Sequence, residues 1–329
     1  MTTLGKYRHL AQCSTPAGHF TILALDHRGN LRDSLNQHAP KPLTDDEFTA
    51  FKQHVMRRLL AEASAVLTDP EHGFGPGIAS GVIGGQVGLL SPLEVTDYSL
   101  HPSRRLTNFI PNWNIAKIKR VGGSGVKLLL YYHPDADIAP QKRDLVQSLV
   151  LECQAHDIPF FLEPIVYSLN PRKPLTNAEW RKAAVKTAGT FSQMGVDVLK
   201  LEFPLDVKQE SNESVWQEAV EELNAACSVP WALLSAGVDY PTFRRQAEIA
   251  CKAGASGVIV GRAVWAEAVE LQGDARDRFL ATTARQRMKE LADICARLAK
   301  SWRDKAPPPD VEPGWYAKYG TALDAGGMA

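Results

Sequence analysis

Val126-Lys-Leu-Leu-Leu-Tyr-Tyr132 is an apolar run with a single charge inside it. An amphipathic stretch from Gln141 to His156 follows, and then a second apolar run, Pro159-Phe-Phe-Leu-Glu-Pro-Ile-Val166. Strand, helix, strand is the signature of a crossover between parallel neighbours. Near-continuous apolar runs suit strands covered on both faces. The alternation extends both ways. Toward the N-terminus lie Phe20-Thr-Ile-Leu-Ala-Leu-Asp26, Ala65-Val-Leu-Thr-Asp69 and Gln86-Val-Gly-Leu-Leu90. Toward the C-terminus lie Val196-Asp-Val-Leu-Lys-Leu-Glu202, Trp231-Ala-Leu-Leu-Ser235 and Gly257-Val-Ile-Val260. Eight runs separated by helical patterns predict a (β/α)8 barrel. The competing fold, a doubly wound open sheet, calls for a glycine-rich loop after its first strand. Here that strand ends in Asp26-His-Arg-Gly-Asn30, without G-x-G-x-x-G.

The spacers read as helices. Thr44-Asp-Asp-Glu47 is a capping-box pattern opening a helix to about Ala63. Ala178 to Met194, with Asn177 as N-cap, Glu213 to Cys227 and Pro241 to Ala253 follow the same periodicity. Ala275 to Trp302 is expected to be a long closing helix or helix pair. Gly122-Gly-Ser-Gly125 precedes a strand, so it reads as a helix C-cap and turn and not as a phosphate cradle. The expected organisation is one barrel domain over residues 1–305 and a proline-rich tail over 306–329.

Composition narrows the function. In 329 residues, 37 basic and 37 acidic side chains cancel, so no charge surplus points to nucleic acid or an anionic membrane. The five cysteines are widely spaced and form no C-x-x-C, which fits a reducing, cytoplasmic compartment. The uncharged stretch Gly73 to Leu93 is long enough to span a bilayer, but its seven glycines and two prolines argue against a membrane helix. The first residues lack the apolar core of a signal peptide.

The informative residues are charges within the apolar runs: Asp26, Lys127, Glu163, Lys200 and Glu202. Inside a packed barrel a charge must be paired or must face the open C-terminal end, where barrel active sites sit. Strand alternation puts Val198, Lys200 and Glu202 on one face. A purely structural ion-pair network is one reading. The other is imine chemistry: a desolvated lysine amine condenses with a ketone, the iminium draws electrons from the neighbouring C–C bond, and a carboxylate moves the protons. Lys127, Lys200 and Glu163 supply that set. The last two strands end in Ser235-Ala-Gly237 and Gly261-Arg262, and loops after the seventh and eighth strands of barrels often hold phosphate. The nine histidines show no H-x-H or H-x-x-x-H pair, so a metal-dependent reaction is the weaker alternative.

Taken together, Leu23-Ala-Leu-Asp-His-Arg-Gly29, Val126–Tyr132, Ile158-Pro-Phe-Phe-Leu-Glu163, Gly195-Val-Asp-Val-Leu-Lys200, Leu234-Ser-Ala-Gly-Val238 and Val260-Gly-Arg-Ala-Val-Trp265 resemble the class I tagatose-1,6-bisphosphate aldolase family, whose relatives include sulfofructose-phosphate aldolase. The resemblance implies a barrel that cleaves a phosphorylated ketose without a metal or other cofactor. It implies Lys200 as the imine lysine, Glu163 as the acid/base, Lys127 as an active-site cation and Asp26 as a partner of substrate hydroxyls. It places Ser235, Gly237, Gly261 and Arg262 on the dihydroxyacetone-phosphate end, with Arg28 a further substrate contact. Two features depart from the family pattern. Asp26-His27-Arg28-Gly29 stands where bisphosphate aldolases of the family carry Asp-Gln-Arg-Gly, and Leu93 to Arg105 differs from the usual loop after the third strand. Both fall where the far end of the substrate would sit, leaving open which aldehyde is released. The alternatives are an aldolase of the same class on a related ketose phosphate such as sulfofructose 1-phosphate, and a non-catalytic sugar-phosphate sensor. A homo-oligomer is expected. The aromatic residues Trp302, Trp315, Tyr316 and Tyr319 are expected to pack the C-terminal segment on the barrel or at a subunit interface, the alternative being a partner surface.

Overall fold

The computed structural model describes residues 2–95, 100–317 and 319–320. Eight parallel strands close into a barrel in chain order: β1 (Phe20–Leu25), β2 (Ala65–Thr68), β3 (Gly88–Pro92), β4 (Gly125–Tyr131), β5 (Phe160–Ile165), β6 (Val198–Leu201), β7 (Trp231–Leu233) and β8 (Gly257–Val260), with β8 pairing back onto β1. All eight expected runs become strands, and the open-sheet alternative is excluded by the β1–β8 pairing.

Alternation divides each strand between two cores. Leu23, Leu25, Val66, Leu128 and Leu130 face outward and pack under the helices. Phe20, Ile22, Ala24, Ala65, Leu67, Leu90, Phe161, Val198, Ala232 and Ile259 face inward and fill the bore. A helix over Leu4–Gln12, which the sequence pattern did not single out, closes the N-terminal end of that bore together with Trp302. Trp302 is fully buried, donates its indole N–H to Ser14 Oγ (2.8 Å) and meets the Tyr7 ring edge-on.

Several local expectations are refined. The helix before β6 spans Asn177–Ser192, and its N-cap is Thr176, not Asn177. Thr176 and Glu179 form a reciprocal capping box, which satisfies two orphan backbone donors where a lone Asn side chain would satisfy one. The box at Thr44 and Glu47 forms as expected. The expected closing helix or helix pair forms as one helical run, Gly273–Phe279 passing through a wider π-helical turn at Leu280–Ala284 into Arg285–Leu298, and Trp302 lies in a separate short turn. Gly122 follows the helix Ile115–Arg120 at φ +93°, as a helix-ending turn requires. Within Gly73 to Leu93 the chain makes short turns and β3, and among the described residues no helix is long and apolar enough to cross a membrane. All five cysteines are buried and free. Of the C-terminal aromatics Trp302 packs inside and Trp315 and Tyr316 are exposed, while Tyr319, though partly exposed, accepts the Gly5 N–H (2.8 Å) and donates to Asp157, tying the tail to the barrel. Tail positions 318 and 321–329 lie outside the described residues, as does 96–99 of the loop after β3.

Candidate active site

Inward-facing positions that are apolar low in the bore become charged one step further along the same strands. Phe161 is followed by Glu163 on β5, and Val198 by Lys200 on β6. Lys127 occupies the equivalent face of β4, and Asp26 directly follows β1. Their side chains converge on a cavity of about 460 Å3 lined by Asp26, Arg28, Glu94, Lys127, Glu163, Lys200 and Arg262 among others.

Two ammonium groups share this space and have different company. Lys127 Nζ lies 2.9 Å from Asp26 Oδ2, 2.8 Å from Glu94 Oε1 and 2.9 Å from Glu163 Oε2. Among the described residues Lys200 Nζ has one carboxylate partner, Glu163 Oε2 at 2.9 Å. Burial disfavours the Lys127 charge, but three carboxylates outweigh it and hold the group protonated, its pKa raised well above the ordinary lysine value. Burial pushes the acids up as well. For Asp26, Lys127 and Lys200 reverse this and hold the carboxyl below its usual range. Glu163 is lowered in the same way, burial being overcome by the two lysines. At Glu94 burial prevails over Lys127, and its pKa is raised. Glu163 Oε2 lies 2.9 Å from both ammonium groups and so bridges the two lysines.

Asp26, Lys127, Glu163 and Lys200 are thus brought into one chain of contacts, as the sequence reading anticipated. Glu202 is not part of it: its Oε2 accepts the Val166 backbone N–H (3.2 Å), and burial pushes its carboxyl up to about 8. Of the expected anion residues Arg262 lines the cavity, while Ser235, Gly237 and Gly261 lie outside its lining. Gly237 follows β7 in a left-handed turn, φ +79°, and its Cα faces the Arg262 guanidinium; a Cβ there would stand 3.5 Å from Nη2. Ser235 is buried, and its carbonyl accepts from Val238 N–H (3.0 Å). Gly261 has a packing reason for being glycine. A Cβ would come within 2.6 Å of the Ala24 carbonyl and 3.2 Å of His27 Cε1. Arg28 lines the cavity and donates to the Glu94 carbonyl (2.5 Å), so it also holds the loop that carries Glu94.

Glu94 is the residue that sequence reasoning missed. It follows β3 in a loop, is 4% exposed, pairs with Lys127 through Oε1 and accepts the Leu129 N–H through Oε2 (3.1 Å). The available signal was an acid just beyond an apolar run, the same pattern that marked Asp26. His27, placed by the sequence reading at the far end of the substrate, lines the cavity, and Lys52 was missed as a buried cation. Lys52 is fully buried, paired with Asp69, and donates to the Leu25 carbonyl (3.1 Å). Among the described residues no group of three or more His, Cys, Asp or Glu is gathered as a ligand set for a metal. His101 and His133 pack their rings against Tyr167.

The DeoC/LacD family aldolase model matches residues 20–267, from the start of β1 to just past β8. The chain belongs to the DeoC/LacD aldolase family. Members are lyases that make or break a C–C bond. This DeoC/LacD family aldolase is 33% identical to tagatose 1,6-diphosphate aldolase 2 of Streptococcus mutans over 91% of its own length and 97% of the relative. It is 34% identical to tagatose 1,6-diphosphate aldolase of Listeria monocytogenes over 98% and 97%. Among solved structures it shares its fold with a Schiff base forming fructose-1,6-bisphosphate aldolase (TM-score 0.60, 17% identity, 88% of this chain and 99% of that one). Fructose-bisphosphate aldolase from Plasmodium falciparum has the same fold (TM-score 0.70, 12% identity, 91% and 97%).

Proposed function

We propose that this aldolase cleaves a phosphorylated ketose, tagatose 1,6-bisphosphate in the first instance, to dihydroxyacetone phosphate and glyceraldehyde 3-phosphate through an imine on Lys200. The observation that carries the reading is the inequality of the two lysines. Three carboxylates fix the proton on Lys127, whereas among the described residues Lys200 pairs with Glu163 alone. The amine that can become a nucleophile is therefore Lys200.

In this scheme Lys200 passes a proton to Glu163 and attacks the ketone carbon. The resulting carbinolamine loses its hydroxyl as water, with Glu163 returning the proton, and leaves an iminium. The hydroxyl on the far side of the C–C bond gives its proton to a carboxylate, Glu163 or Asp26. The C–C bond then breaks, its electron pair moves into the iminium to form an enamine, and the aldehyde departs. Protonation of the enamine carbon and addition of water release the triose phosphate and restore Lys200. Lys127 stays charged throughout and stabilises developing oxyanion character. Asp26 contacts substrate hydroxyls. Arg262 and Gly237, with Ser235 and Gly261, take the ketone-side phosphate, and Arg28 contributes at the mouth. The residues present supply every proton transfer, and the scheme needs neither metal nor other cofactor.

The test is a panel of ketose phosphates with both products quantified, run with and without a strong chelator. Cleavage of tagatose 1,6-bisphosphate that survives the chelator supports the proposal. Chelator-sensitive turnover overturns the imine route. Cleavage of sulfofructose 1-phosphate alone keeps the chemistry and replaces the substrate. Absence of cleavage with retained sugar-phosphate binding replaces the enzyme with a sensor.

A further inference from the structure

The His27 imidazole is held in a fixed orientation. Its ring stands edge-on to Trp265 (centroids 5.3 Å, interplanar angle 85°), and the Trp265 indole is itself anchored by a hydrogen bond to the Ala24 carbonyl (3.1 Å). Gly261 leaves room for Cε1 on the other side. Nδ1 is buried, makes no hydrogen bond, and lies 4.0 Å from Asp26 Oδ1. Asp26 Oδ2 is engaged by Lys127 at 2.9 Å, so Oδ1 is the oxygen turned toward His27.

A separation of 4.0 Å is too long for a hydrogen bond. It does suit one bridging oxygen: an oxygen about 2.8 Å from each atom sees them at roughly 90°. The chemistry selects the bridging group. Asp26, held ionised beside Lys127, only accepts. Burial lowers the His27 pKa to about 4; Asp26 opposes this, while Arg262, Lys200 and Lys52 add to it. The imidazole is therefore neutral near pH 7, one nitrogen donating and the other accepting. A group that donates to Asp26 and accepts from an Nδ1–H fits, and a hydroxyl does both. A phosphate or sulfonate oxygen cannot donate and would be repelled by Asp26.

We propose that His27 is a specificity-determining residue: with Asp26 it clamps a single hydroxyl of the open-chain sugar. This deepens the ketose-phosphate reading above and rests on it. The clamp discriminates by the position and handedness of one hydroxyl, since a site built to hydrogen-bond a hydroxyl rejects an analogue that leaves its polar groups unpaired.

Two variants and two substrates test it. His27→Phe keeps a ring against Trp265 and removes the nitrogen, while His27→Asn returns an amide N–H near the Nδ1 position. One readout is kcat/KM on the best ketose phosphate of the panel. The other is borohydride trapping of hydroxyacetone phosphate, a phosphorylated ketone with no free hydroxyl. His27→Phe should lower kcat/KM about 5- to 50-fold, the range for losing a hydrogen bond and stranding its partner. It should leave trapping within about twofold of wild type, since removing a hydrogen bond that a ligand never makes costs no affinity. His27→Asn should recover part of the loss. Unchanged turnover in His27→Phe overturns the clamp, and so do equal losses in both readouts, which would mark a packing role. If His27→Phe does not fold, His27→Asn decides alone: a loss confined to turnover supports the clamp, and equal losses in turnover and trapping overturn it. Failure of the underlying reading looks different, because wild-type enzyme would then show no adduct at all.

Discussion

The barrel bore has two halves built on the same strands. At the N-terminal end Phe20, Phe161, Val198 and Trp302 are fully buried in one apolar cluster beneath the plugging helix. Two residues further along β5 and β6, on the same face, stand Glu163 and Lys200, joined by Lys127 from β4 and Asp26 after β1. A charge in the lower half would have no water and no partner. In the upper half each charge is within 3 Å of an opposite one, and the cavity above admits a substrate. The lower layer therefore makes the fold rigid, and the upper layer uses that rigidity to keep excess carboxylates around two ammonium groups. Within the upper layer the contrast repeats between the lysines: among the described residues Lys127 has three carboxylate partners and Lys200 has one.

Substitutions in the two halves should have separable effects. The largest is expected for Lys200→Met, since a thioether forms no imine: turnover should fall below detection while the thermal midpoint stays within a few degrees of wild type. A midpoint collapse with this variant would mean that the charged layer is structural. Next, Glu163→Gln keeps the shape and removes the titrating group, and kcat should drop about 10²–10⁴-fold. A near-normal kcat would assign proton transfer to another carboxylate, with Glu202 and Glu94 next to be tested. In the lower half, Phe161→Ala should cost about 3–5 kcal/mol of stability by denaturant titration. The fraction that remains folded should still form the Lys200 adduct, and loss of trapping in folded protein would show that the two layers are not separable. The smallest effect belongs to the rim. Arg262→Ala removes one charge-assisted contact of roughly 1.5–3 kcal/mol, so affinity for a phosphorylated ketose should fall about 10- to 150-fold. An unphosphorylated ketose should be almost indifferent; equal losses on both would make Arg262 a fold residue.

Much of this was legible because charge inside an apolar run is rare. Asp26, Lys127, Glu163 and Lys200 announced themselves that way, and strand alternation put the β6 pair on one face. Alternation could not say that Glu202, beyond the end of β6, turns to the Val166 backbone and leaves the network. Glu94 stayed hidden because it sits in an irregular loop, placed by pairing with Phe109 across the loop and by the Leu129 N–H. Neither contact has a sequence period. The helix Leu4–Gln12 was missed because its one apolar stripe is short, with Leu10 and Lys6 its buried residues, and Lys6 is there through an ion pair with Asp197. The π-helical turn at Leu280–Ala284 was illegible because the apolar spacing continues through it.

The central claim is that carboxylate company decides which lysine reacts. Incubation with dihydroxyacetone phosphate and borohydride, followed by mass spectrometry of the proteolysed protein, reads this directly. The account predicts a reduced triose-phosphate adduct on the peptide carrying Lys200 and none on the peptide carrying Lys127. An adduct on Lys127, or no adduct under conditions where the protein cleaves its substrate, would contradict it.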